Sequence, residues 1–264
     1  MNFILIHGLI ISNPGAKGTV SLSGSVRRRT IIKKMNETRG MLSEIFLTPI
    51  GRGARLSCAS ALRPIAGQYL LAHAEGTHQV LPAALFVRAA DGMDLVIAPP
   101  VPEDWLPGTE IYLRGPLGNG FHPPIAVRHM VLADLSGHQG QRLLKLVSDA
   151  ADTSMETVLL SDSAPADLPL EIEFLPLKAF NEVLAWADYL AVEMGLQQMN
   201  LLRELSGVQT NRDFHSAFEV LVDTPLICGG IASCGVCSVR VNNHWQLACK
   251  DGPVFRLSHL SEDE

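Results

Sequence analysis

Cys228-Gly229-Gly230-Ile231-Ala232-Ser233-Cys234-Gly235-Val236-Cys237-Ser238 decides how this chain is read, and Cys249 answers it after eleven intervening residues. Four of the five cysteines fall in this short segment, spaced C-x5-C-x2-C-x11-C. Plant-type [2Fe-2S] sites are written C-x4-C-x2-C with a distant fourth cysteine, so the pattern stands one residue from that template.

The residue types suit that chemistry. Two irons and two bridging sulfides need four thiolates, together with backbone N–H groups turned toward the sulfurs to stabilise added charge. A tight loop supplies them, and Gly229, Gly230 and Gly235 can take the positive φ that Cβ-bearing residues resist. Beyond the loop, Ser238–Val241 and Trp245–Ala248 read as two strands joined at Asn242-Asn243, a hairpin that carries Cys249 back toward the other three thiols. Zinc would also accept four thiolates, but structural zinc usually draws on two C-x2-C knuckles and only Cys234 and Cys237 form one. A disulfide framework fits poorly with an odd cysteine count and no secretory signal. A thioredoxin-like C-x-x-C should open a helix, whereas this one runs into strand-like sequence. Cys58 lies apart and reads as an ordinary small residue.

The run Cys228–Cys237, followed by Trp245-Gln246-Leu247-Ala248-Cys249-Lys250-Asp251-Gly252-Pro253-Val254-Phe255, resembles the C-terminal cluster module of the electron-transfer subunit of class B dihydroorotate dehydrogenase. That family's tail reads close to L-A-C-K-D-G-P-V-F. Two departures stand out: five residues instead of four separate the first two cysteines, and Gln246 replaces a basic residue. The resemblance implies a ferredoxin-reductase-like architecture in which a β-barrel precedes a parallel α/β domain and a small [2Fe-2S] module.

Working outward, residues 222–264 form the module, with Phe218–Val222 leading in as a strand. Residues 125–221 alternate strand and helix, as a parallel α/β sheet requires: strands over Val127–Leu132, Glu156–Leu160 and Leu170–Phe174, and helices over Gln141–Ala150 and Lys178–Met194. The last is read from apolar positions 180, 183, 184, 187, 190, 191 and 194. His129 and His138 read as structural. Residues 41–124 carry six β-prone runs punctuated by Gly and Pro, which predicts a closed barrel. Residues 1–40, which include Arg27-Arg28-Arg29 and Lys33-Lys34, read as an extension or a mis-assigned start, disordered if made.

Within the barrel, Pro64–Leu70 and Gly115-Pro116-Leu117-Gly118-Asn119-Gly120-Phe121 resemble the family's flavin-binding region, so the resemblance implies FAD contacts from Gly115, Pro116, Leu117, Gly118, Asn119 and Gly120. The family's Arg-Pro-x-Ser/Thr strand is replaced by Leu81-Pro82-Ala83-Ala84-Leu85-Phe86, which has neither the guanidinium for the pyrophosphate nor the hydroxyl for the flavin ring. FAD is kept only if Arg88 or Arg114 substitutes. The family's Gly-rich nicotinamide turn reads Asp134-Leu135-Ser136-Gly137-His138-Gln139-Gly140, with two glycines and an added negative charge, which argues against NAD.

The chain has 264 residues, 47% hydrophobic and 18% charged, with a net charge of −6. That is ample for a core and leaves no basic field for nucleic acid. No apolar run reaches membrane-spanning length, and grouped free thiols fit a reducing cytoplasm. The reading is an electron-transfer subunit that holds a cluster on Cys228, Cys234, Cys237 and Cys249 and hands electrons between a catalytic flavoprotein subunit and a second carrier, in pyrimidine synthesis by kinship. The alternative is a non-catalytic iron–sulfur or zinc scaffold, or a redox sensor, that has lost both nucleotides.

Overall fold

A computed structural model describes residues 4–6, 9–11, 36–59, 62–76, 80–150 and 155–261. Residues 1–34 and 35–264 form two units. In the first, β1 (Ile4–Ile6) pairs antiparallel with β2 (Leu9–Ile11). The basic cluster at Arg27–Arg29 and Lys33–Lys34, and the expected disorder around it, lie outside the described residues.

The second unit begins with β3 (Asn36–Thr48), β4 (Gly51–Ser57), β5 (Tyr69–Ala74), β6 (Ala83–Asp91), β7 (Asp94–Ile97) and β8 (Glu110–Leu117). They close in the order β3-β4-β7-β6-β5-β8. All six expected strands are present, and closure removes the exposed edges that a flat sheet of them would leave. The expected extension ends too late, because residues 36–40 are strand: Asn36 to Gly40 pair with Gly115 to Ile111 of β8. The barrel interior is apolar, with Leu42, Leu56, Leu70, Leu95, Ile97, Trp105 and Ile111 at most 1% exposed.

The α/β domain holds β9 (His129–Asp134), α1 (Leu144–Asp149), β10 (Glu156–Leu160), β11 (Ile172–Leu175), α2 (Phe180–Leu184), β12 (Tyr189–Met194), α3 (Met199–Ser206) and β13 (Glu219–Val222). The sheet order is β11-β10-β9-β12-β13-β16, parallel from β11 to β13. Here β16 (Val254–Arg256) comes from the C-terminal segment and runs antiparallel to β13. The strand order reverses between β9 and β12, which places a crevice beyond their C-terminal ends.

The helix expected over Lys178–Met194 is not formed. Only Phe180–Leu184 is α-helical, and residues 189–194 are the sheet's central strand with all six residues buried. The apolar positions satisfy a helical period, but from Tyr189 onward both faces are buried, as in a parallel strand covered on both sides. The Asp188 carboxylate accepts the Arg128 and His129 N–H groups at 3.0 Å each and fixes the entry into the strand. His129 stacks on Trp186 with ring centroids 4.3 Å apart, in keeping with its structural reading.

The three expected domains of residues 41–264 share one compact unit. One apolar cluster joins Tyr69, Leu71 and Leu117 of the barrel to Leu132, Leu159, Tyr189 and Val254 of the sheet. A second joins the other sheet face to Val239, Val241, Leu257 and Leu260 of the C-terminal segment.

Candidate metal centre

Cys228, Cys234 and Cys237 lie on turns between β13 and β14 (Ser238–Val241), and β15 (His244–Leu247) returns the chain to Cys249. Asn242 and Asn243 have φ of 48° and 62°, the doubly left-handed turn that closes a two-residue hairpin. The expected hairpin is therefore present. Gly229, Gly230 and Gly235 have φ of 63°, 70° and 72°. Gly230 passes so close to the barrel that a Cβ there would lie 3.1 Å from the Tyr69 hydroxyl. Ala232 is also left-handed, at φ 57°.

The four thiols form one group: Cys228 lies beside Cys234, and Cys249 lies beside Cys237 with Cys228 also within electrostatic reach. Backbone N–H groups of Ser233, Cys234 and Ala232 donate to the Cys228 thiol, that of Ala232 also reaches Cys249, and the Cys249 N–H reaches Cys237 Sγ at 3.5 Å. The Ser233 N–H, foremost among these donors, holds Cys228 below the ordinary thiol range. Burial, reinforced by the Cys237 thiol, pushes Cys249 up. A cation is what such a buried thiol needs to ionise. Among the described residues no three His, Cys, Asp or Glu side chains converge on a single ion. A two-iron cluster takes two thiolates on each iron beside the shared sulfides, and the four grouped thiols supply that number. Cys237 and Cys249 are 2% exposed, Cys228 is half-buried and Cys234 exposed, so one edge of the site faces outward. Cys58 is buried far off in the barrel core.

The barrel grips this centre. The Tyr69 hydroxyl, fully buried, donates to the Cys249 carbonyl at 2.9 Å, and the Arg114 guanidinium donates to the Gly229 carbonyl. The turn Gly115–Gly120 lies against the segment after Cys249: the Asn119 N–H donates to Gly252 O at 2.5 Å, and its side-chain amide to Asp251 O at 2.6 Å. These contacts span more than a hundred residues of sequence, and no local pattern announces them.

Residues 225–261 match the family described as the iron–sulfur cluster binding domain of dihydroorotate dehydrogenase B. The likeness is confined to this C-terminal module. No curated protein matches the chain. Among solved structures, an NADH-dependent reduced ferredoxin-NADP oxidoreductase superposes with a TM-score of 0.63 at 17% identity, covering 84% of this chain and 89% of that one. Phthalate dioxygenase reductase gives 0.52 at 12% identity over 78% and 86%, and the ferredoxin-NADP+ reductase of Plasmodium falciparum 0.53 at 10% over 71% and 97%. At these identities the likeness is one of fold, and that fold is ferredoxin-reductase-like. The resemblance to the dihydroorotate dehydrogenase B electron-transfer subunit thus rests on family at the iron–sulfur module and on fold across the barrel and sheet.

The nucleotide groups found with this fold fit less well. Beside the iron–sulfur module, a cavity of about 720 Å³ is walled by Leu71, Leu81, Pro82, Arg114, Cys228 and Ile231. Leu81 stands where the family's arginine is expected and Ala84 where its hydroxyl is, while Pro82 keeps the motif's proline. Neither substitute is free: Arg88, 7% exposed, is paired with Asp167 at 2.5 Å, and Arg114 is turned onto the iron–sulfur loop. The family's contacts to the FAD pyrophosphate are therefore not reproduced.

At the sheet crevice, the carboxylate of Asp134, 2% exposed, accepts the Ser136 N–H and hydroxyl at 2.8 and 2.7 Å and the Gly140 N–H at 3.1 Å. The chain's own anion thus takes the backbone donors that a dinucleotide phosphate would use. His138 Nδ1 and Arg142 approach fully buried Glu193 at 2.7 and 3.2 Å, and Arg142 also pairs with Asp223 at 2.8 Å. A nicotinamide dinucleotide does not fit this turn.

The same crevice makes stability pH-dependent. Burial pulls the His138 pKa down, but the hydrogen bond and charge of Glu193 outweigh it and raise the group above its ordinary value. Burial and Glu193 likewise raise Asp134. Both groups bind protons more tightly folded than unfolded. The contribution of His138 is fully present below about 6.5 and is lost as pH rises through its raised folded value. Urea unfolding between about pH 6 and 8 should show stability falling with pH, and His138→Gln should flatten that slope. An unchanged slope in the variant would show that His138 carries no charge there.

Proposed function

We propose that this chain is an electron-transfer subunit that holds a [2Fe-2S] cluster on Cys228, Cys234, Cys237 and Cys249 and relays single electrons between a catalytic flavoprotein partner and a second carrier. The observation that supports the reading most directly is that residues 225–261, which match an iron–sulfur cluster binding domain, hold all four cysteines on one turn-rich loop and hairpin. The cluster, when bound, supplies one-electron exchange. The protein holds the four thiolates, keeps water from the Cys237–Cys249 side, and leaves the Cys228–Cys234 edge open. Ile227, Ile231 and Val236, which are 43%, 64% and 51% exposed, surround that edge and offer an apolar rim for a partner. Likeness of the module to the dihydroorotate dehydrogenase B cluster domain supports a dihydroorotate dehydrogenase partner and a place in pyrimidine synthesis, and grouped thiols suit a reducing cytoplasm.

Because the barrel lacks the family's pyrophosphate donors, FAD contacts at Gly115–Gly120 are not part of this reading, and the same turn is occupied in clasping the module. The closed nucleotide crevice favours one other reading, a redox-sensing scaffold with the same cluster and no electron partner.

Anaerobic purification followed by quantification of iron, sulfide, zinc and flavin per chain tests the proposal. Two irons and two sulfides with little flavin are expected. Stoichiometric FAD would overturn the barrel reading, and zinc in place of iron would sink electron transfer. Reoxidation of the reduced chain by a dihydroorotate dehydrogenase catalytic subunit separates relay from sensor.

A further inference from the structure

We infer that Tyr69 and Arg114, two barrel residues that hydrogen-bond to carbonyls of the cysteine-bearing segment, are positioning residues that raise the reduction potential of the cluster. The inference rests on the proposed function, since it needs a cluster on the four cysteines. Its observations are separate from that reading, because they lie in the barrel wall.

Each donor is aimed at a carbonyl next to a thiolate. The Tyr69 hydroxyl donates to the carbonyl of Cys249 itself, and Arg114 to that of Gly229, which follows Cys228. One donor acts at Cys249 and the other beside Cys228. Tyr69 is fully buried, and its hydroxyl is held on the Cys249 carbonyl at 2.9 Å. Arg114 is the cation turned onto the cluster loop. The other guanidinium of the cavity wall, Arg39, is paired with Glu110 at 2.6 Å and lies over the Tyr112 ring.

Reduction adds a negative charge to the centre. Iron–sulfur potentials follow net charge, hydrogen bonding and solvent exposure, and outer residues that orient ligands tune a metal centre as the ligands do. A fixed positive charge beside Cys228 favours the reduced form. A hydroxyl that satisfies the Cys249 carbonyl withdraws negative potential from the buried pair. The loop glycine at 230 makes the Tyr69 approach possible, since a Cβ there would lie 3.1 Å from the Tyr69 oxygen. Arg114, foreseen as a stand-in phosphate ligand, is thereby assigned to the cluster.

The test is a redox titration, followed by electron paramagnetic resonance, of the full cluster-loaded chain and of Tyr69→Phe, Arg114→Met and Arg114→Lys. Tyr69→Phe and Arg114→Met are expected to shift the midpoint to lower potential, and Arg114→Lys, which keeps the charge, to recover most of the Arg114→Met shift. A purely structural clasp would alter thermal stability and leave the midpoint in place, so unmoved midpoints in both Tyr69→Phe and Arg114→Met overturn the inference. If Arg114→Met fails to load iron, Tyr69→Phe, which removes one oxygen, decides alone. Iron content is read first: a wild-type chain without iron defeats the proposed function and this inference with it, whereas loaded chains with unmoved midpoints defeat the inference only.

Discussion

Replacing Cys249 with alanine is expected to take the bound iron from two per chain to background, while Cys58→Ala leaves it unchanged. Cys249 is 2% exposed, and its N–H and thiol both engage Cys237. Without it, Cys237 faces a buried apolar gap, and one iron loses half of its protein ligands. Neither Tyr69 nor Ala232 offers a thiolate in exchange. In small metal-dependent modules the binding free energy is on the order of 10 kcal/mol and is inseparable from folding. Here the effect on the fold should be milder, because β16 still completes the sheet and Val239, Val241, Leu257 and Leu260 still pack in its core. The variant should therefore remain soluble and colourless, with iron assay and visible absorption as the measurements. Iron at the wild-type level in Cys249→Ala would refute the assigned ligand set. Cys58 supplies the contrast, since it sits in the barrel core and burial raises its pKa away from thiolate character.

The parts of this molecule written locally were legible. Six barrel strands, the Asn242-Asn243 hairpin and the four-cysteine spacing each depend on residues near one another in sequence, where period, turn chemistry and ligand spacing operate. Legibility failed where burial on two faces mimics another period. The stretch from Tyr189 to Met194 satisfies a helical stripe because every position in it is apolar or buried, and only the neighbouring strands β9 and β13 make it a strand. It failed again at residues 36–40, whose partners lie in β8, some seventy residues on. The centre was readable as a list of ligands but not as a supported site. Tyr69 and Asn119 sat inside strings that pointed to a flavin, and the carbonyls they bond lie 180 and more than 130 residues away. Asp134 is the intermediate case: its charge was visible in the turn, whereas its capture of the Ser136 and Gly140 N–H groups appears only with the fold.

Gly118→Ala should be among the most damaging single changes in the barrel. Gly118 has φ of +75°, and a Cβ there would lie 2.4 Å from the Gly252 carbonyl, 2.7 Å from Pro253 Cδ and 3.2 Å from the Tyr69 ring. A left-handed alanine alone costs about 1–2 kcal/mol. Here the nearest obstacle is backbone, which cannot swing aside as a side chain can. The turn must therefore move off the segment after Cys249, and the two Asn119 hydrogen bonds to Asp251 and Gly252 lengthen with it. A total of about 3 kcal/mol is expected, in the range that only named mechanisms such as strain and lost networks reach. Gly92→Ala isolates the contribution of close approach, because Gly92 also has a positive φ of +54° but would meet nothing within 4 Å. Urea unfolding of both variants should show Gly118→Ala losing at least twice as much stability, and iron should leave that variant faster under chelator challenge. Equal losses in the two variants would mean that the approach of turn to module is not tight in solution. The clasp at Asn119 would then no longer account for the glycine at position 118.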